Sequence, residues 1–431
     1  MYKEFKNDFL NLVFSRHLLI KSSDTDTEVF PVGNIQETAS SNELLTLMTK
    51  LRRQIHQHPE LGLSNPNTQR LISEALPNAF GSIRIGQGEI SWLAFSLNSD
   101  REGPSILLRA DTDALPLIEC RSNAPLSQID GVMHACGHDL HTSMAVGAAH
   151  ILCSTRKEWA GKITILFQPG EEGFFGAERC LADGAIKLNE FDAAYALHVD
   201  PKLLSGHFAV KSGELLAGSD TFMITVNGIG GHASEPHLGR DPIAVACEIA
   251  LALQIMVTRT VDPFKPAVIT VSKIEGGSTR NVMPSSAQLM GTIRSFSQSK
   301  KDLMRTSLQR VADGICSAHD VSCQVSFTRG YSPTINNPRL TDLVTRKTAE
   351  LFGHSKIETL PNARMGSEDF STYLSSVPGV MTMIGCRKPE TSIESAAPLH
   401  SDQFDPDENT MADGAAFLAS VASMNLGISH G

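Results

Sequence analysis

The chain has 431 residues, of which 41% are hydrophobic and 19% charged, the composition of a folded protein with room for two domains. Its net charge of −10, with no cluster of Lys and Arg able to cover a run of phosphates, argues against a nucleic-acid partner. No uninterrupted apolar run reaches the roughly 18 to 20 residues that span a bilayer, so we expect no membrane segment. The eight cysteines lack paired spacing, which favours reduced thiols and a cytoplasmic location.

The first 42 residues are interpreted as an N-terminal extension followed by a polar linker. The extension alternates charges and has no small-residue cleavage site after an apolar core, so no secretory signal is predicted. The linker, from residue 21, shows no sustained period and ends at Ser41, a good helix N-cap. From Glu43 to about Leu76, apolar residues at helical spacing predict two helices separated by an HPELG turn.

Short aliphatic runs then alternate with helical segments. The runs SILLRA, KITILFQ and DAAYALHV are apolar on both faces, which predicts buried strands of an α/β sheet. From Thr221 to Arg329 the order strand, helix, strand, strand, helix, strand predicts a ferredoxin-like α+β module. We therefore predict an α/β domain made of residues 43–216 and 330–431, interrupted by a module at 217–329.

Polar clusters follow three of the predicted strands. Asp111 and Asp113 follow SILLRA, a Glu pair follows KITILFQ, and His198 lies near the end of DAAYALHV. The carboxyl edge of an open α/β sheet is where ligands bind. The clusters are therefore expected to meet in one site.

The segment HACGHDLH places Cys136 and His138 two residues apart, directly before a predicted helix. A thiolate, an imidazole and carboxylates are ligands that borderline divalent metals accept. Alone, a Cys-x-His pair is more often a buried thiol beside a surface histidine. Its coincidence with the other polar clusters favours a metal site.

The adjacent Glu171 and Glu172 lie in the turn QPGEEG, between two glycines. A random acidic pair is more often a solvated turn. Here the flanking glycines allow one carboxylate to face a metal while its neighbour stays free as a general base for water. We assign Glu172 as a ligand and Glu171 as the base. His400, in a polar loop, would be a surface histidine on sequence alone.

Motifs along residues 43 to 425 together resemble the metallopeptidase family of aminoacylases and hippuricases, particularly its bacterial N-acyl amino acid amidohydrolases and plant auxin-conjugate hydrolases. These motifs, in chain order, are DTDALP, HACGHDLHTSMA, FQPGEEG, ALHV, GGHASEPHLGRDPI, RNVMP, GTIRSF, GSEDF and PLHSDQFDPDE.

The resemblance implies a three-layer catalytic domain of zinc-aminopeptidase type, carrying an inserted ferredoxin-like lid. In this family the lid is often the surface through which two subunits form a homodimer. It also implies a dinuclear site, with Cys136 as bridging thiolate and Glu171 as general base. The ligands carried over by matching position are Cys136, His138, Glu172, His198 and His400.

Three lid residues also match positions with family roles. His232 matches a histidine that stabilises the oxyanion, in dimers from the partner subunit. Asn281 and Arg294 match positions that hold the substrate carboxylate; for Arg294, on an alternating strand, a solvated surface position is the less favoured alternative. The sequence departs from the wider family at Arg109, where a His ligand is usual, so the resemblance implies that the CGH motif supplies this ligand and that Asp111 orients other residues, a role left open.

The predicted reaction is metal-dependent hydrolysis of the amide bond of N-acyl amino acids or amino acid conjugates, with two divalent metal ions per subunit. Zinc or manganese is expected, with cobalt and nickel as alternatives. A dipeptidase or carboxypeptidase on the same scaffold is the main alternative function. A non-hydrolytic binding protein fits less well, because every candidate ligand is retained together with Glu171. A purely structural zinc also fits less well, because such a site has four ligands that are mostly Cys and His.

Overall fold

The computed structural model describes residues 34–78, 80–424 and 426. The helices in this part of the chain are α1 (Ile35–Ala39), α2 (Asn42–Gln57), α3 (Pro66–Ala75), α4 (His138–Ser154), α5 (Gly176–Ala182), α6 (Pro242–Thr260), α7 (Gln298–Ala318), α8 (Pro338–Phe352), α9 (Ser371–Leu374) and α10 (Thr410–Ser423).

The strands in the same part are β1 (Gly81–Ile85), β2 (Leu93–Asn98), β3 (Ser105–Asp111), β4 (Lys162–Gln168), β5 (Ala193–Leu204), β6 (Phe208–Val210), β7 (Gly213–Leu216), β8 (Gly218–Asn227), β9 (Gly231–His232), β10 (Ala267–Gly276), β11 (Val282–Met283), β12 (Ser286–Ser295), β13 (Ser322–Arg329), β14 (Thr334–Asn336), β15 (Ile357–Thr359) and β16 (Gly379–Arg387).

The larger sheet has the strand order β1-β2-β4-β3-β5-β16-β6-β15. Its central strands β4, β3, β5 and β16 run parallel, and β2 is antiparallel to β4. Alternate residues along a strand enter different cores: Leu108 belongs to the cluster that includes α4 and α10, and Leu107 to the cluster that includes α5 and α9. The sheet therefore lies between two helical layers, which confirms the predicted three-layer α/β fold.

The smaller sheet has the order β10-β12-β8-β13, with every neighbouring pair antiparallel. Helices α6 and α7 pack on it and share its core, which includes Phe222, Ile249 and Leu308. This confirms the predicted ferredoxin-like module, called the lid below. By length and composition alone α6 could cross a membrane, and 28% of its apolar window is buried in the structure.

One correction concerns the segment that precedes α2. Part of the predicted linker is helical, because Asn34 and Glu37 form a reciprocal capping box at the start of α1 and Ala39 is buried in the core. The apolar contact of this short helix with α10 could not be inferred from its polar sequence. The predicted N-cap is confirmed, since the Ser41 hydroxyl accepts a hydrogen bond from Leu44 N.

Candidate dinuclear metal centre

Four segments bring polar side chains to one edge of the larger sheet. Strand β3 ends at Asp111, β4 leads into the turn 169–176, β5 carries His198, and α4 begins at His138. Because β3, β4 and β5 are parallel, their carboxyl ends share that edge, as the sequence predicted. The loop carrying His400 is tied to the same edge by a 2.9 Å hydrogen bond from His400 N to the Ala135 carbonyl.

The candidate ligands form two triads that share the Cys136 sulfur. Cys136, His138 and His198 form one, and Cys136, Glu172 and His400 form the other, with ligand atoms within 4.8 Å of one another in each. The Cys136 Sγ lies 3.6 Å from His198 Nε2, and Glu172 Oε1 lies 3.1 Å from His400 Nε2. All five candidate ligands therefore converge in one place.

Hydrogen bonds determine which ring nitrogen of His138 and of His198 faces the candidate metal site. His138 Nδ1 lies 2.8 Å from the Asp113 carbonyl, and His198 Nδ1 lies 2.7 Å from the Val199 carbonyl. A carbonyl only accepts, so each Nδ1 carries a hydrogen and Nε2 is the nitrogen left to face a metal. His138 Nε2 is buried and has no hydrogen-bond partner among the described residues. These residues therefore fit a divalent cation.

The charges around the ligands favour a cation. Burial alone would lower the pKa of His138, but Asp111, Asp113 and Glu172 outweigh it and raise that pKa to about 10. Burial raises the pKa of the Cys136 thiol, and the Glu172 carboxylate adds to the effect. Metal binding at this thiol would therefore release a proton.

Glu171 is buried beside the ligands, with 7% of its surface exposed. Burial, then the charges of Glu368 and Glu172, raises its pKa well above the usual range. The backbone of its turn is held by Asp113, whose two carboxylate oxygens accept hydrogen bonds from Glu171 N and Glu172 N at 2.9 and 3.0 Å. A carboxyl in such surroundings can hold and transfer a proton.

The sequence suggests an orienting role for Asp111, and the structure shows the contacts through which it would act. Its carboxylate accepts hydrogen bonds from Arg109 Nη1 and His141 Nδ1, both at 2.6 Å. His141 Nε2 in turn accepts from Val199 N at 2.9 Å, next to the candidate ligand His198. Asp111 thus orients the His141 ring, which in turn holds the backbone next to His198. His141 and Asp113 lie in the polar sequence clusters, but the sequence predicts no role for them, because their contacts join distant segments.

The predicted lid residues lie apart from this cluster. His232, on β9, and Asn281 line the same cavity of about 650 Å³ in the lid. Arg294 Nη1 donates a 2.8 Å hydrogen bond to the Met365 carbonyl. Within the described residues, no hydrogen bond or ion pair joins His232, Asn281 or Arg294 to the five candidate ligands.

A three-layer α/β domain with an inserted lid, and Cys, His and Glu side chains converging at its sheet edge, defines the class of metal-dependent hydrolases. Residues 107–424 match Peptidase family M20/M25/M40, and the chain belongs to this family. It is therefore an amide-bond hydrolase, and the family contains dinuclear metal-binding members.

Known relatives match nearly the whole chain. It is 34% identical over 383 residues to thermostable carboxypeptidase 1 of Saccharolobus solfataricus, covering 88% of this chain and 95% of the relative. It is also 34% identical to the N-acetyl-L-cysteine deacetylase of Bacillus subtilis, covering 89% and 90%, and to IAA-amino acid hydrolase ILR1-like 5 of Arabidopsis thaliana, covering 95% and 93%. The crystal structure of the Bacillus subtilis YXEP protein, a dinuclear metal binding peptidase from the M20 family, is 28% identical with a TM-score of 0.76, covering 89% of this chain and 98% of that one.

Proposed function

We propose that this protein hydrolyses the amide bond of N-acyl amino acids or amino acid conjugates, releasing a carboxylic acid and a free amino acid. The observation that carries this proposal is the pair of ligand triads sharing Cys136 beside the buried Glu171. Two relatives, each 34% identical to this chain, are named as an N-acetyl-L-cysteine deacetylase and an IAA-amino acid hydrolase. The substrates in both names are N-acyl amino acids.

Cys136, His138, Glu172, His198 and His400 would hold two divalent metal ions, with Cys136 as the shared thiolate. When bound, these ions would polarise the scissile carbonyl and make a water molecule more acidic. The mixture of thiolate, imidazole and carboxylate ligands favours zinc or manganese, with cobalt and nickel as alternatives.

Glu171 is the proposed general base. It takes a proton from the attacking water and returns it to the nitrogen of the leaving amine, so that no covalent intermediate is required. Its raised pKa in the metal-free protein has burial as its first cause, and cations held by the neighbouring ligands would favour its ionised form. The Asp113 carboxylate keeps the Glu171 backbone in place while the proton moves.

The lid would complete the site. We assign His232 as the oxyanion donor, acting from the partner subunit of a homodimer, with Asn281 and Arg294 holding the substrate carboxylate. In support, His232 is exposed and shares a lid cavity with Asn281. The exposed apolar residues Leu251 and Ile255 on α6 offer a surface that a second subunit could cover.

The domain boundaries and the location complete the proposal. The catalytic domain comprises residues 43–216 and 330–431, the lid comprises 217–329, and the extension and linker comprise 1–42. The two sheets, which take their strands from these ranges, support the division. The free state of all eight cysteines supports a cytoplasmic location.

The first test is hydrolysis of a panel of acetyl, benzoyl and indole-acetyl amino acids by protein stripped with a chelator and resupplied with zinc, manganese or cobalt. We expect metal-dependent release of the free amino acid, and a Glu171→Gln variant that binds metal but is at least about a hundredfold slower. Full activity of the Glu171→Gln variant would contradict the proposed role of Glu171 as general base.

A carboxypeptidase or dipeptidase activity is the second candidate, favoured by the 34% identity to the Saccharolobus solfataricus carboxypeptidase. The same protein should therefore be assayed on dipeptides and on longer peptides, with the products identified. Turnover of peptides without turnover of any N-acyl amino acid would replace the first proposal with this one. Metal binding without turnover of either class would indicate a binding protein.

A further inference from the structure

The chain passes between the catalytic domain and the lid at two adjacent crossings. One joins β7 to β8 near Ser219, and the other follows β13 at Gly330 and Tyr331. Ser219 N donates a 3.0 Å hydrogen bond to the Tyr331 carbonyl. The crossings approach closely, because a Cβ atom on Gly330 would lie 2.3 Å from the Ser219 carbonyl oxygen. A movement of one crossing would therefore displace the other.

The backbone of Tyr331 is held by the lid. Its carbonyl also accepts a 3.2 Å hydrogen bond from Lys301 Nζ, on α7. Lys301 is buried and lies 3.1 Å from the Asp220 carboxylate, which Arg305 also contacts at 2.9 Å. Because a buried ion pair of this kind is costly to separate, the Tyr331 carbonyl is fixed to the lid.

The side chain of Tyr331 reaches the opposite way, into the turn that carries Glu171 and Glu172. Its hydroxyl donates to the Glu171 carbonyl and accepts from Gly173 N at 3.0 Å and Phe175 N at 3.4 Å. A phenolic hydroxyl has one hydrogen and two lone pairs, so its hydrogen-bonding capacity is used entirely by this turn. The Tyr331 ring also packs edge-on against Phe175, with centroids 5.2 Å apart.

This turn needs contacts from outside to keep its shape. Gly170, Gly173 and Phe175 have positive φ angles of 78°, 85° and 57°. The left-handed conformation is unfavourable for a non-glycine residue such as Phe175 and persists where the surroundings impose it. Asp113 holds the Glu171 and Glu172 amides, and Tyr331 contacts the Glu171 carbonyl and the Gly173 and Phe175 amides.

We propose that Tyr331 is a positioning residue of the amide hydrolysis reaction, which makes the location of the Glu171 and Glu172 carboxylates depend on the orientation of the lid. It acts through the turn and not on the substrate. In naming the reaction this inference rests on the proposed function, whereas the coupling of the lid to the turn does not. A displacement of the turn would move the base and one candidate ligand together.

The test compares Tyr331→Phe with Tyr195→Phe. The Tyr195 hydroxyl is buried but, unlike that of Tyr331, has no hydrogen-bond partner among the described residues, so its removal is the control. Both variants are loaded with cobalt(II), whose absorption reports the ligand geometry, and are assayed for hydrolysis. For Tyr331→Phe we expect a changed cobalt spectrum and kcat lower by about ten- to a hundredfold, with KM within about threefold of wild type. Tyr195→Phe should change neither.

The lid side of the coupling is tested by Lys301→Met against Arg305→Met. Both lose a contact with Asp220, but only Lys301 contacts the Tyr331 carbonyl. Lys301→Met should reproduce the spectral change and the loss of kcat, and Arg305→Met should not. If Lys301→Met does not fold, Gly330→Ala replaces it, because the added Cβ displaces the same crossing.

The inference is overturned if Tyr331→Phe and Tyr195→Phe have the same cobalt spectrum and the same kcat. It is also overturned if Lys301→Met and Arg305→Met behave alike. The cobalt comparison needs no turnover, so it still decides the coupling if wild-type protein hydrolyses none of the N-acyl amino acids. Failure of the proposed function is therefore distinguishable from failure of this inference.

Discussion

At the scale of single residues, the buried guanidinium of Arg109 balances several buried carboxylates. It contacts Asp111 and Asp369 at 2.6 Å and Glu368 at 3.0 Å. Burial raises the pKa of Asp369 to about 7 even though Arg109 opposes the shift. The permanent charge of Arg109 thus keeps this acidic cluster compact behind the candidate site.

Replacing Arg109 by Met should leave these carboxylates without their cation. We expect the free energy of unfolding to fall by about 3–5 kcal/mol, since breaking a buried ion pair leaves uncompensated charge. Urea unfolding of the metal-free proteins measures it. Arg53→Met is the control, because the exposed Arg53 pairs with Glu408 at the surface and should cost at most about 1 kcal/mol. Equal losses in the two variants would contradict this account.

Asp113 should matter for the metal more than for the fold. Asn in its place keeps one oxygen but presents an NH2 group to Glu171 N or Glu172 N, so one hydrogen bond is replaced by a repulsive contact. Metal affinity, measured by competition with a chelator, should fall by about ten- to a hundredfold. Asp183→Asn, at an acceptor of the Trp92 indole N–H, is the control and should leave affinity unchanged.

At the scale of elements, the turn between β4 and α5 contains several residues with positive φ angles. Gly170 has φ +78°, and a Cβ there would lie 2.6 Å from the Leu63 side chain. The Glu171 and Glu172 side chains can therefore face the site only because glycine precedes them.

Gly170→Ala should lower the free energy of unfolding by about 1–2 kcal/mol, because Ala is disfavoured at positive φ and its methyl group would contact Leu63. It should also reduce kcat by displacing the Glu pair. Gly314→Ala is the control: Gly314 lies within α7 with open space around it, so this change should stabilise by about 0.5–1 kcal/mol. Chemical unfolding and kinetics of both variants provide the measurement, and an unchanged Gly170→Ala protein would refute the prediction.

At the scale of the whole molecule, a buried ionic network joins distant parts of the catalytic domain. Arg52 on α2 contacts Asp139 on α4 at 2.8 Å, and His56 contacts both Asp139 and Glu119. Arg121 extends the network to Asp405 in the C-terminal part, and Arg52 also reaches Glu408 there. The network thus holds together segments that are far apart in sequence, behind the first turn of α4.

Glu119 should make stability depend on pH. Burial would raise its pKa, but hydrogen bonds with His56 and Ser127 N and the Arg121 charge outweigh it and lower the pKa to about 2 from about 4.5. Between these values the unfolded chain binds more protons, so the Glu119 contribution is complete above pH 4.5 and is lost as the pH falls towards 2.

Unfolding of metal-free wild type and Glu119→Gln between pH 6 and pH 2 tests this. Their stability difference should shrink by about 1–2 kcal/mol on acidification, after an allowance for solvent screening. A difference that is constant with pH would mean that Glu119 has the same pKa in the folded and unfolded chains.

The sequence by itself determined the order of elements, the buried strands of an α/β sheet, the inserted α+β module and the residue types at the sheet edge. These follow from periodicity and turn chemistry, which act over a few residues. Only the tertiary structure decided which ring nitrogens of His138 and His198 face the candidate metal site, and the support that Asp113 and Tyr331 give to the Glu171 turn. The Asp113 and Tyr331 contacts to Glu171 join residues 58 and 160 positions apart, and no local pattern encodes such hydrogen bonds. For the same reason α1 was predicted as linker: its stability comes from packing against the distant α10 and not from its own few polar residues.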